Sequence, residues 1–206
     1  MVSGGDAHPI EEESYRIMRA RVDFSRWPAG AREVVERMVH ATADESFSET
    51  ALVGDGFVAA AMSALKSDAA VICDSRMVVA GVPLVAGRIP VECYLDRVPT
   101  AASGTTRAAE AVQLAAAEHP DRAVWVVGNA PTALHRLVEL YDAGVVSPAA
   151  VIGVPVGYVG ASEAKAELWE SPLRAISVTN TGRRGGSAVA AAALNALARL
   201  AWPIDS

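Results

Sequence analysis

The chain is poor in the residues from which metal and redox sites are built. It has two cysteines, Cys73 and Cys93, in 206 residues, and they form no metal-ligand pattern. Both stand at the ends of apolar runs, so buried free thiols in a reduced, cytoplasmic protein are expected. The four histidines, His8, His40, His119 and His135, show no ligand spacing and no joining carboxylate cluster, so no metal is expected. Basic excess is lacking too: 18 Lys and Arg face 24 Asp and Glu, a net charge of −6. That disfavours a nucleic-acid or anionic-membrane surface while leaving room for a local basic pocket. The Ala-rich stretch from Ser187 to Trp202 is broken by Asn195 and Arg199, and reads as a core-facing helix, not a membrane span. The polar, acidic start does not resemble a signal peptide. There is no G-x-G-x-x-G with a ribose-binding acid and no Gly-Lys-Ser/Thr ending, so no nucleotide cofactor is expected.

What the chain has is 51% hydrophobic residues, enough for one sizeable core. Residues 1–9 read as a flexible tail and 10–206 as a single domain. Three segments share one grammar of apolar run, glycine-rich turn and helix-like stretch. They are Val124–Val127 with Gly128-Asn129-Ala130-Pro131, Ala150–Gly153 with Val154-Pro155-Val156-Gly157, and Ile176–Val178 with Thr181–Ser187. Apolar runs without alternation mark parallel strands covered on both faces. Helices are expected at Glu11–Val22, Ala31–Val39, Gly56–Leu65 and Thr105–Glu118, with strands at Ala69–Cys73 and Pro90–Tyr94. The alternation predicts an α/β fold: a doubly wound parallel sheet in a flavodoxin-like three-layer sandwich.

Each turn leaves the N–H groups at a helix start without intrahelical partners, which favours a bound anion. Three such turns on one sheet edge would suit a ligand with several anionic groups. Asn129 and Thr132 flank Pro131 at a helix start, where capping and ligand binding are both open readings. Arg107 follows Gly104-Thr105-Thr106 in a helix first turn, placed for a carboxylate or for solvent. Thr181–Ser187, with Arg183 and Ser187, reads as an anion cradle outside the P-loop pattern. His40 closes the Ala31–Val39 helix. There the dipole favours imidazolium, so an upward pKa shift and a proton-donor role are expected, beside the alternative of a histidine that caps carbonyls.

Taken in order, Val39–Asp44, Gly104–Ala109, Val127–Leu134, Ile152–Val159, Glu163-Ala164-Lys165 and Gly182–Ser187 resemble the precorrin-8X methylmutase family of cobalamin biosynthesis. The likeness runs from about Ser14 to Leu197. It implies a flavodoxin-like homodimer with a corrinoid substrate and no cofactor. The implied reaction moves a methyl group from C11 to C12 of precorrin-8X, giving hydrogenobyrinate. The same shift on cobalt-precorrin-8 and a non-catalytic tetrapyrrole carrier are the alternatives. By resemblance His40 is the active-site histidine, Ser14 contacts substrate and Arg107 meets a substrate carboxylate. Arg183 and Arg184 compete for the single arginine that the family usually has before its final glycine-rich turn.

Overall fold

The computed structural model describes residues 9–203; the expected tail, apart from Pro9, lies outside them. Four strands carry the centre of the molecule: β2 (Val71–Cys73), β4 (Val124–Val127), β5 (Ala150–Gly153) and β6 (Ser177–Asn180), with every residue buried. Because side chains alternate across a strand, the sheet feeds two cores. Val71, Cys73, Val124, Val126, Ile152 and Val178 face one. Ile72, Trp125, Val127 and Val151 face the other. The first core is closed by α2 (Ala29–Thr42), α4 (Phe57–Lys66) and α10 (Ser187–Ala201), and the second by α7 (Arg107–Glu118), α8 (Pro131–Asp142) and α9 (Ala161–Glu170). Two covered faces explain why the strands read as unbroken apolar runs.

The remaining elements are α1 (Pro9–Arg21), α3 (Phe47–Thr50), β1 (Ala51–Val53), α5 (Arg76–Ala80), α6 (Pro83–Ala86) and β3 (Val91–Glu92). Sheet order is β1-β6-β5-β4-β2-β3. The five parallel strands, counted from β2, follow the 2-1-3-4-5 order of doubly wound flavodoxin-like sheets. The sheet is not wholly parallel: β1 pairs antiparallel with β6, Ala51 opposite Asn180 and Val53 opposite Val178. Three residues are too few to show a period, so β1 and the short α3 before it have no sequence signature.

Helix α2 runs past His40 and ends at Ala43, which takes the left-handed conformation with φ 52. The Ala-rich face of α10 is buried against its own chain, from Ala190 to Ala193 and on through Ala201. Among the described residues no helix is long and apolar enough to cross a membrane.

Candidate active site

The turns after β4 and β6 look alike in sequence, and the structure uses them differently. After β4, the N–H groups of Gly128, Asn129 and Ala130 donate to the carboxylate of Asp74 at 3.1, 2.7 and 2.7 Å. Asp74 directly follows β2, so it sits where strand order reverses and such sheets place their ligands. It is 6% exposed. Burial pushes its carboxyl above the ordinary value, and the three N–H bonds offset only part of that. The open anion site expected at this helix start is therefore corrected: the chain supplies the anion itself. The Asn129 side chain stays exposed, and Thr132 Oγ1 pairs with Thr106 Oγ1 at 2.7 Å.

After β6 the Thr181–Gly186 turn is zipped to the loop after β5. Gly157 N–H donates to Arg183 O at 3.2 Å, and Gly186 N–H to Val154 O at 2.9 Å. Gly185 has φ 157, and a Cβ there would stand 2.2 Å from Val154 O, so only glycine fits. Arg184 reaches away to Asp44 and to Ser46 Oγ. Burial pushes the Asp44 carboxyl up, but its Ser46 hydrogen bonds and Arg184 outweigh that and hold it below its ordinary value. Arg183 instead lies over the Tyr158 ring, 5.2 Å from its centroid. Val156, Gly157, Tyr158 and the two arginines line a cleft of about 390 Å³. In the loop after β5, Val154 and Pro155 are buried, while Val156 and Tyr158 are exposed apolar surface. Ser187 opens α10 in the interior, its Oγ 3.1 Å from Ser75 Oγ.

His40 lies in the last turn of α2, half-buried. Its ring stacks on Tyr15 with centroids 4.4 Å apart and planes within 3°, and Nδ1 is 3.3 Å from Ser14 Oγ. Arg37, one turn earlier, donates to Tyr15 Oη at 3.0 Å and to Glu11 Oε1 at 2.6 Å. Tyr15, Arg37 and Glu11, but neither Ser14 nor His40, line a second cleft of about 430 Å³ that also takes in Arg199. Burial and the guanidinium groups of Arg37 and Arg199 hold the imidazole below its ordinary value, against the pull of Glu11. The expected upward shift is corrected, because dehydration and two neighbouring cations outweigh the one neighbouring carboxylate.

Arg107 has its Nε and Nη2 on the carbonyls of Val98 and Leu95, at 2.5 and 2.9 Å. Those carbonyls follow β3, at the opposite edge of the sheet from β1. The structure thus joins Ser14 to His40, ties the loop after His40 to the turn bearing Arg183, and leaves Arg107 apart.

Known proteins agree with this architecture. The family model for precorrin-8X methylmutase matches residues 9–200. The precorrin-8X methylmutase of a Sinorhizobium species is 41% identical over 94% of this chain and 95% of its own length. The cobalt-precorrin-8 methylmutase of Methanothermobacter thermautotrophicus is 37% identical over 96% and 95%. The crystal structure of precorrin-8X methylmutase from Thermus thermophilus superposes with a TM-score of 0.83 at 37% identity, covering 93% of this chain and 95% of that one. The chain belongs to the precorrin-8X methylmutase family. It is a methyl-shift isomerase of cobalamin biosynthesis acting on a corrinoid.

For a methylmutase, two polar residues escaped the sequence reading as candidates. Asp74 looks like turn punctuation, and its partners lie 54 to 56 residues away. Lys165 had a signal. It lies four residues after Ala161 and three before Leu168, on the same stripe as the buried Ala164, and a lysine in a helix's apolar stripe is a buried lysine.

Proposed function

We propose that the chain moves a methyl group from C11 to C12 of precorrin-8X to give hydrogenobyrinate. In this reading His40 donates a hydrogen bond to a ring nitrogen. The observation that carries it is the clamp on His40. Tyr15 fixes the ring plane, and in the tautomer that this reading uses, with the proton on Nε2, Nδ1 accepts from Ser14 Oγ. An imidazole held below its ordinary pKa is neutral at pH 7 and still donates from Nε2. That bond draws electron density from the conjugated ring and eases the migration. The methyl group stays within one molecule, so the shift itself needs no donor.

Around the ring, the dispersed carboxylates of a corrin precursor call for exposed cations beside apolar surface. Arg183 with Tyr158 and Val156 offers that pairing. Arg184 is held by Asp44, which supports Arg183 as the substrate-facing residue of the two. Asn129 and Thr132 stand at the neighbouring rim as further contacts. Ser187, being interior, supports this rim from below. The family resemblance supports a homodimer, which light scattering at working concentration tests.

The shift on cobalt-precorrin-8 is the second reading, favoured by the name of the archaeal relative. Following the absorbance change with each ring separates the two. With the preferred ring, His40→Ala should lose about 10²–10⁴-fold in kcat while affinity changes little, because the donor acts on the transition state. Near-normal turnover in folded His40→Ala would remove His40 from the mechanism. Tight binding without any conversion by the wild type would make the chain a carrier.

A further inference from the structure

The Glu163-Ala164-Lys165 segment has no role in the site described so far. Lys165 is 1% exposed, and burial holds its ammonium down to about 8. Both acceptors bonded to its Nζ are neutral oxygens: Arg184 O at 2.6 Å and Asn180 Oδ1 at 3.1 Å. Burying a charge without an opposite charge is unfavourable, so stability alone does not account for a lysine on this stripe. The Arg184 carbonyl does. Asn180, itself fully buried, donates Nδ2 to the same oxygen at 3.0 Å and to Thr181 O at 3.1 Å. One backbone oxygen of an exposed turn thus receives two donors from the interior. From the other end, the Arg184 guanidinium grips Asp44 and Ser46 in the loop after His40.

We propose that Lys165 is a positioning residue that pins the Thr181–Gly186 turn at the Arg184 carbonyl and so fixes where Arg183 stands; its importance for turnover rests on Arg183 meeting the substrate. Without the pin, the turn keeps its backbone bonds from Gly157 N–H to Arg183 O and from Gly186 N–H to Val154 O, but the Arg184 carbonyl between them loses its shorter bond, and the flanking glycines let that stretch loosen. The Asp44 contact then holds Arg184 only by a long side chain.

Timed trypsin digestion of the full chain tests the pin without substrate, because Arg183 and Arg184 are exposed cleavage points inside the turn. Arg122, exposed and at a distant turn, is the internal reference. In Lys165→Met, cleavage after Arg183 or Arg184 should accelerate at least tenfold relative to Arg122. Wild-type protection of the turn in folded Lys165→Met would overturn the proposal. If that variant does not fold, Lys165→Gln decides: it keeps a polar side chain beside Asn180, is shorter by one bond and so gives up the close contact with Arg184 O, and should speed the same cleavage several-fold. Unchanged cleavage there would equally overturn it. The kinetic arm is a double-substitution cycle. Lys165→Met should raise KM several-fold alone and less than twofold in an Arg183→Ala background, with kcat less affected. Equal effects in both backgrounds would show that Lys165 does not act through Arg183. A loosened turn with normal KM in both single variants would uphold the pin and instead remove Arg183 from substrate recognition.

Discussion

Two turns at the carboxyl edge of one sheet begin from the same pattern of apolar strand, glycines and helix start. The turn after β4 is filled from within: three N–H groups close on Asp74, and Gly128 sits so near α10 that a Cβ would come within 2.7 Å of Ala190. The turn after β6 faces outward, with Arg183 exposed over Tyr158 and its backbone held from below. A helix start with free N–H groups attracts an anion, but sequence does not say whose. In one turn the anion is a neighbouring side chain. In the other, Asp44 holds Arg184, and Arg183 is the cation that the proposed function offers to an anion from outside.

The comparison breaks most visibly at Asp74. Asp74→Ala should lower stability by about 2–4 kcal/mol, since it leaves three N–H groups without their charged acceptor. Denaturant unfolding measures this. Sulfate should then stabilise the variant more than the wild type, against chloride at equal ionic strength, because the emptied turn has become an open one. Equal sulfate effects would show that Asp74 does not plug the site. Asp74→Asn keeps one acceptor and should lose about half as much.

At the other turn, the same logic predicts an effect on binding with little on stability. Arg183→Ala should raise KM about tenfold, the scale of one exposed charge-assisted contact, with melting unchanged. Raising salt should weaken wild-type binding, as screening demands of an exposed contact, and weaken Arg183→Ala less.

A smaller effect concerns pH. The His40 pKa lies below its ordinary value, so the neutral ring dominates throughout the neutral range. As pH rises from about 6.5, the ordinary histidine value, to about 7.5, kcat/KM should therefore hold level. A fall over that interval would show that imidazolium is required. The smallest effect belongs to Arg107. With its guanidinium on the Leu95 and Val98 carbonyls, Arg107→Ala should leave KM within about twofold and cost at most about 1 kcal/mol of stability. A large rise in KM would return it to the substrate.

How much could be read beforehand follows from range. The buried runs at Val124–Val127 and Ala150–Gly153 declare themselves as strands because both faces are covered, and Thr106 announces α7 by capping Ala109 N–H. Those are local effects. β1 is three residues whose identity comes from pairing with β6, more than 120 positions away. The His40 environment failed for the same reason. A helix end is visible in sequence, whereas Tyr15 from α1 and Arg199 from α10 come near the ring only when those helices lie on α2. The resemblance named Ser14 and His40 separately; their 3.3 Å approach and the stacked Tyr15 are known from the structure.

Asp74 is, in effect, a ligand on a tether. A short flexible linker already presents a group at an effective concentration of about millimolar, and a carboxylate held rigidly by β2 is presented higher still. Dilution does not remove it. Free phosphate or a nucleotide would have to displace it and leave its charge buried without partners. The position where related sheets read the small anions of their surroundings is thus deaf to them here. In the reading proposed above, recognition is displaced along the sheet to the turn after β6, where Arg183 stands exposed over Tyr158.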